Sequence, residues 1–571
     1  MKKLLGIVSI LLFAAATVFA SFLTPAIGDG RVIPIGDDFY SYVDALFIST
    51  GNAIPSTSRP WTVTEARNEL EKLNGVQLSE SEKKILDDIY SSLPKVENHI
   101  SLSFNLSPEI YAHINSDFNR EEYWNYGYED RNHFGTISLD NATGGFQGHL
   151  ELSAGLGMVT NGDLDNEMTL KEYAQLVNGS WEGVGTQVPA DEEVEEGTLK
   201  ADEIKVLGSQ KVYTSPFLFN FPSTGTSDLN MPRKAYLDYS GSNFSIGFYK
   251  DRKAWGNNKT GNFIFDAHNP YYNTLTLKTF NSKFSFEYTY MMPEQYRGGT
   301  NYKIENYEEY QRVFTAHRVE YRATSSLSFA LSENVMYRFY GMPDITNMNP
   351  ATFYHNNLNS HQFNALAHVE VAYTFLPGFM IYGQVGVDQG SFPGFEDPST
   401  EDQAMGFSLG LQHSNILEDS FYTISFGALY TTPALYRPTG STDFIINYNF
   451  LMPSSYYRYP FFTYIGYEHG GDNLEFRLDA DYYYRDLHLY GALDLRFQGD
   501  YGMFDVYTRP LMKTSPSGNA TVYFTGNLGA EYSLDLKWFP TKAFCDLSLV
   551  YIEDKGFDPQ LSLGASISYS I

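Results

Sequence analysis

From about His99 to the C-terminus, apolar and polar residues alternate with a period of two, which is typical of β-strands. The last segment shows the pattern most clearly, because apolar residues alternate with serine and glycine from Leu561 to Ile571. In 474–483 and 528–538 charged residues take many of the polar positions. Such segments run for about nine to twelve residues, close to the length that a tilted strand needs to cross a membrane.

Short connections between these segments alternate with long ones. The short ones lie at 241–242, 281–282, 325–326, 377–378, 485–486 and 540–541, and the long ones near 251–271, 292–313, 339–361, 389–402 and 498–525. Short turns at one end and long loops at the other are typical of outer-membrane β-barrels. We therefore expect an all-β transmembrane antiparallel barrel over 98–571, with about 18 strands (range about 16–20). Placing both chain ends on the periplasmic side requires a strand at 442–450, and the pattern in 118–233 leaves the count open.

The N-terminal segment 21–97 has the period of helices instead. Apolar residues recur at helical spacing in 37–50. Capping signals at Thr62 and Ser79, each with a glutamate three residues later, open two further helices. We expect this segment to form a small helical unit at the periplasmic mouth of the barrel.

The first twenty residues predict export. Lys2 and Lys3 precede an apolar run over 4–19, and a small-x-small signal ends at Ala20. The sequence thus predicts a signal peptide at 1–20, cleaved after Ala20, and a mature protein in the cell outer membrane. Its expected partners are outer-membrane lipid and the barrel-insertion machinery.

Composition and charge narrow the function. The chain has 45 Tyr and 42 Phe but a mean hydropathy of only -0.31, as expected when apolar and polar residues alternate. The formal net charge of -29 argues against nucleic acid as a partner. Cys545 is the only cysteine, so a disulfide within the chain and a thiolate metal cluster are both excluded. An acidic insertion is expected near 159–233, where 191–196 carries most of the charge.

Three stretches resemble the Wzi-type capsule-assembly family of outer-membrane proteins. They are VIPIGDDFYSYVDALFISTGNAIPSTSRPWTVTEARNEL (32–70), IGFYKDRKAWGNNKTGNFIFDAHNPYYNTLTL (246–277) and HRVEYRATSSLSFALSENVMYRFYGMPDITNMNPATFYHN (317–356). Asn257 departs from the family's usual Gly-Pro-Gly-like run, and the acidic insertion has no counterpart. The resemblance implies eighteen strands, a periplasmic helical bundle and a role in holding polysaccharide at the cell surface.

Two long loops carry the candidate binding chemistry. Aromatic faces stack on sugar rings, and amides and charges read sugar hydroxyls. The candidate glycan-binding residues are Trp255, Asn258, Lys259, Asn262, His268, Asn269, Asn349, His355 and Asn356. The alternative is that Trp255 and its neighbours fix a folded plug loop.

Glu333 is unusual because it lies on the apolar register of its segment, where a lipid-facing carboxylate is costly. We expect it at the barrel rim, or turned inward by a bulge.

No catalytic motif is recognisable, and no enzyme activity, metal or cofactor is expected. The leading hypothesis is an outer-membrane barrel that binds or organises surface polysaccharide. The alternative is a porin or solute channel, and a third hypothesis is a surface adhesin. The sequence leaves open the identity of the glycan, the state of the lumen and the oligomeric state.

Overall fold

In the computed structural model, eighteen antiparallel strands close into one barrel, as the sequence predicts. The first and last strands pair with each other, so the sheet has no free edge. The residues that the structure describes are 28–94, 98–119, 123–127, 131–155, 167–169, 198–199, 205–207, 217–220, 232, 234–269, 272–293, 303–304, 311–339, 348–354, 363–389, 403–437, 444–451, 458–503, 514–534, 536 and 539–571.

Three α-helices precede the barrel in the described part of the chain. They are α1 (Asp38–Ser49), α2 (Val63–Leu70) and α3 (Glu80–Ser92), with 3-10 turns at Glu71–Leu73 and Ser116–Phe118. The barrel strands are β1 (His99–Leu106 and, after a break, Glu109–His113), β2 (Gly135–Thr143), β3 (Phe146–Ala154), β4 (Lys234–Ser240), β5 (Phe244–Asp251), β6 (Tyr272–Phe280), β7 (Phe284–Met291), β8 (Gln311–Arg322), β9 (Leu327–Phe339), β10 (Phe363–Leu376), β11 (Phe379–Gln389), β12 (Ala404–Ile416), β13 (Ser420–Thr431), β14 (Asn473–Tyr484), β15 (Leu487–Gln498), β16 (Thr521–Leu534), β17 (Thr541–Ile552) and β18 (Gly556–Ser570).

Shorter strand pairs lie outside the barrel wall. They join Val32–Ile33 to Trp61–Thr62, Ser58–Arg59 to Ala254–Trp255, Glu167–Thr169 to Lys205–Leu207, Thr198–Leu199 to Lys303–Ile304, Phe217–Phe219 to the second part of β1, and Ile445–Leu451 to Arg458–Tyr464. The last pair corrects the expectation for 442–450. That segment is a strand, but it pairs within its own loop and not in the wall, where β13 pairs directly with β14.

The outer face of the wall is apolar and the inner face is polar. On β12, Phe407, Leu409 and Leu411 are exposed on the outside, whereas Ser408 and Gln412 are buried on the inside. This alternation is what a strand between lipid and a polar lumen requires. None of the described helices is long and apolar enough to cross a membrane.

The helices form where their capping signals predict. The Thr62 side chain accepts a hydrogen bond from the backbone of Glu65, and Ser79 and Glu82 make a complete capping box. The three helices share one apolar core, which also includes Phe421 of the wall. They therefore close part of the barrel at the end where the short turns lie, which we call the short-turn end. The opposite end is the long-loop end.

Candidate functional site

The connection between β5 and β6 folds into the barrel. In this plug loop (252–269), Ala254 and Trp255 pair with Ser58 and Arg59 of the segment between α1 and α2. We call that segment, residues 51–59, the strap. Strap and plug loop thus form a small sheet inside the lumen.

The barrel wall is shaped to receive the plug loop. Gly386 and Gly406, on β11 and β12, lie directly against Phe263, so a side chain at either position would meet the ring. Gly427 on β13 lies against Asn258 and Thr260 in the same way. Small residues facing a packed loop let the backbones approach closely.

Buried charges fasten the plug to the wall. Glu287 on β7 pairs with Lys253 of the plug loop and accepts a hydrogen bond from Ser58 of the strap. Lys278 on β6 lies 2.5 Å from Glu65 of α2. Because charges in a low-dielectric interior must be paired, these contacts fix the plug loop, the strap and α2 against the wall.

Four candidate residues lie inside this packing. Trp255 and Asn269 are fully buried, and Asn258 and Asn262 nearly so. The Asn262 amide donates to Asp266 at 2.9 Å, and its carbonyl accepts from Gln384 of β11 at 2.7 Å. The structure thus brings these residues together as parts of the folded plug, and a role in glycan binding stays a prediction for them.

Lys259 remains exposed on the plug loop, whereas the His268 side chain is mostly buried, with 14% exposed. The Nε2 atom of His268 lies 2.9 Å from the Thr463 hydroxyl and 3.1 Å from the Tyr464 carbonyl oxygen. Its Nδ1 atom lies 3.4 Å from Asp266. Lys259 is exposed, and its ammonium group is close enough to the Asp481 carboxylate of β14 to attract it electrostatically.

We expect the contribution of His268 to stability to fall as the pH rises. Burial lowers the pKa of His268, but the Asp266 side chain, Glu468 and the Tyr464 carbonyl outweigh it, so the pKa lies above the ordinary value. A histidine whose pKa is raised by folding contributes its full stabilisation below the pKa of the unfolded chain, about 6.5. This contribution is lost as the pH rises through the pKa of the folded protein. His268→Gln should therefore cost up to about 1 kcal/mol at pH 5.5 and less at pH 8.5. Thermal unfolding of the wild type and of the His268→Gln variant from pH 5.5 to pH 8.5 measures this difference. An equal loss of stability at both pH values would contradict the prediction.

The remaining candidates belong to the loop after β9. Asn349 is exposed, and its side chain accepts a hydrogen bond from the backbone of Ala351 at 3.0 Å. His355 and Asn356 lie outside the described residues.

The same loop covers the outer wall around Glu333. This carboxylate lies in the middle of β9 on the outward register, not at the strand end as expected, and the pairing with β10 is regular there. It is 3.3 Å from His317 and accepts a hydrogen bond from the backbone of Tyr354 at 3.1 Å. The Tyr354 ring stacks on His317 with centroids 5.0 Å apart. A pairing partner and a covering ring therefore offset the cost of the outward carboxylate.

A second inward loop was not anticipated from the sequence. In this cap loop, of which 114–119 and 123–127 are described, Phe118 is fully buried against Val550 and Ile552 of β17. Asn125 hydrogen-bonds Ser548 and Gln560, both at 2.9 Å. The aromatic residues of this loop could have indicated that it packs inside the barrel. However, apolar and polar residues alternate too irregularly over 118–233 to predict such packing.

Comparison with known proteins supports the fold. No family model matches the chain, and no curated protein matches it in sequence. Among solved structures, it is similar to Wzi of Escherichia coli, described as an outer-membrane protein involved in group 1 capsule assembly and as a carbohydrate-binding β-barrel. The TM-score is 0.54 at 13% identity, covering 94% of this chain and 98% of Wzi.

The chain also matches two other barrels more distantly. OccK3 of Pseudomonas aeruginosa has a TM-score of 0.37 at 10% identity, covering 83% of this chain and 96% of that protein. OccAB4 of Acinetobacter baumannii has a TM-score of 0.37 at 9% identity, covering 84% and 100%. The expected eighteen-strand barrel is confirmed, and the chain has the fold of the Wzi outer-membrane β-barrel.

Proposed function

We propose that this chain is an outer-membrane barrel that binds or organises surface polysaccharide without a catalytic step. The helical end faces the periplasm, and the long loops face the outside. The observation that carries the proposal is the plug, because a loop paired to the strap and fastened to the wall suits a binding scaffold better than an open pore. The fold likeness to Wzi, a carbohydrate-binding barrel, favours the same ligand class.

The accessible candidates form the surface to test. His268 is partly exposed at the long-loop end beside Asp266, and Asn349 is exposed on the loop after β9. Carboxylates, imidazoles and amides are the groups that hydrogen-bond sugar hydroxyls. Asn349 is exposed and His268 lies at the edge of the plug, so alanine at either position leaves Trp255 and its contacts in place.

The experiment measures binding of the purified protein to surface polysaccharide isolated from the cells that produce this protein. We expect His268→Ala and Asn349→Ala each to weaken binding. The affinity should fall about ten-fold if the substitution removes a hydrogen bond that involves a charged group. Ser282→Ala, an exposed change in a short turn at the opposite end, is the matched control and should bind normally. Wild-type protein that binds no polysaccharide, or loses no affinity in either loop variant, would contradict the proposal.

The alternative function, a solute channel, predicts a different result in conductance measurements. A diffusion channel gives large, stable openings in planar bilayers, whereas a plugged barrel does not. Steady conductance by the wild-type protein, together with absent polysaccharide binding, would replace the proposal with the channel.

A further inference from the structure

The plug fills only one side of the lumen. On β6 and β7 the inward-facing side chains, such as Thr276 and Glu287, are buried beneath it. On the other side, inward-facing Asn527 of β16 and Ser103 and Asn105 of β1 remain partly exposed. A second, polar compartment therefore runs beside the plug, and we call it the vestibule.

The vestibule is closed at the long-loop end and accessible at the short-turn end. Along the inner face of β18, Ser562 is buried, whereas Ser566 and Ser568 are partly exposed. Along β17, Ile552 is buried beneath the cap loop, whereas Lys542 is exposed. Accessibility therefore increases from the cap loop toward the helical end, which makes the vestibule a blind compartment.

Hydroxyl and amide groups form one wall of the vestibule. The hydroxyls of Ser566 and Ser568 donate to the Asn105 side-chain oxygen at 2.8 and 3.2 Å. The hydroxyls of Ser103 and Ser570 lie 2.8 Å apart. A serine hydroxyl that donates one hydrogen bond can still accept from a ligand, so this wall offers a row of acceptors.

The charges on the adjacent strands β14 to β17 are only partly paired. Among the described residues, three inward carboxylates of β14 and β16 have a basic or histidine partner, whereas Glu475 of β14 and Asp546 of β17 accept hydrogen bonds from neutral side chains. The pairs are Asp479 with Arg477 at 3.0 Å, Asp481 with His488 at 2.9 Å, and Glu531 with Lys542 at 2.7 Å. On these strands the described inward carboxylates outnumber the lysines and arginines, so the wall repels anions and favours an uncharged polar ligand over an anionic one.

The mouth of the vestibule has room for such a ligand. A cavity of about 330 Å³ lies between Lys542, Ser566, Ser568 and Ser533. This volume is within the usual range for small-molecule sites, and it opens toward the helical end. We propose that the vestibule binds a segment of uncharged oligosaccharide that enters from the short-turn end. The ligand class rests on the proposed function, but this site is separate from the outer loops.

The test uses thiol labelling of the full-length protein with Cys545, the only cysteine, changed to alanine. Ser566→Cys should react with a charged, water-soluble thiol reagent about ten times faster than Ser562→Cys, which lies on the same face beneath the cap loop. Neutral malto-, cello- and manno-oligosaccharides of about four to six sugars serve as probes. At least one should slow the labelling of the Ser566→Cys variant about three-fold, whereas oligogalacturonates of equal length should not.

Three outcomes would overturn the inference. They are equal labelling of the two variants, protection by no neutral probe, and equal protection by the anionic probe. Variants that keep heat-modifiable migration on gels are folded, so slow labelling in such a variant reports access. An Asn349→Cys variant, labelled at the long-loop end, separates the two sites. Protection there but not at position 566 overturns only the vestibule, and the reverse overturns only the proposed outer surface.

Discussion

Replacing Trp255 by alanine is expected to lower the free energy of unfolding by about 3–5 kcal/mol, the usual cost of truncating a large buried aromatic side chain. The indole is fully buried and packs edge-to-face on Phe265, with ring centroids 5.0 Å apart. Lys253 and Arg318 lie over its ring at 5.8 and 5.9 Å. Truncation removes the apolar contacts and the cation–π attraction together. Urea unfolding of the refolded barrel measures the change.

The loss should also loosen the plug. Ala254 and Trp255 form the strand that holds the plug loop to the strap, so the alanine variant should show bilayer openings that the wild type lacks. Trp255→Phe is the control, because it keeps an aromatic ring and the indole N–H has no hydrogen-bond partner among the described residues. A Trp255→Ala protein of normal stability that cannot bind polysaccharide would contradict this view and make Trp255 a sugar platform.

The sequence predicts the barrel and its helices because their signals are local. Alternation with a period of two follows from a wall between lipid and lumen, and the capping residues Thr62 and Ser79 act within one helical turn. The strand at 445–451 shows the limit, because alternation reports the strand but not its partner.

The site is harder to predict than the wall. A buried plug loop and an exposed sugar-binding loop both need aromatic and amide residues, so the composition around Trp255 and Asn262 fits either. Burial distinguishes a packed plug loop from an exposed loop, and burial depends on which way the loop folds at the barrel mouth. The cap loop was missed for the same reason, since Phe118 contacts a strand more than four hundred residues away along the chain.

Replacing Arg318 by methionine should destabilise the protein by about 3–5 kcal/mol, as expected when one partner of a buried ion pair is removed. Its guanidinium lies within the lumen and contacts Glu320 and Glu370, both at 2.9 Å. It also donates to the Thr57 hydroxyl of the strap at 2.5 Å, and that hydroxyl donates to Glu370. Without Arg318, the buried Glu370 and the partly buried Glu320 lose this cation, and the strap loses one hydrogen bond to β8.

A double-mutant cycle separates the ion pair from simple packing. If pairing dominates, adding Glu370→Gln to Arg318→Met should recover part of the lost stability, because one uncompensated charge is removed. Asp419→Asn, which breaks an exposed pair with Lys84 at the short-turn end, is the matched control and should leave the free energy of unfolding nearly unchanged. Strictly additive losses at positions 318 and 370 would contradict an electrostatic attachment. The strap would then be held mainly by its pairing with Ala254 and Trp255 and by its hydrogen bond to Glu287.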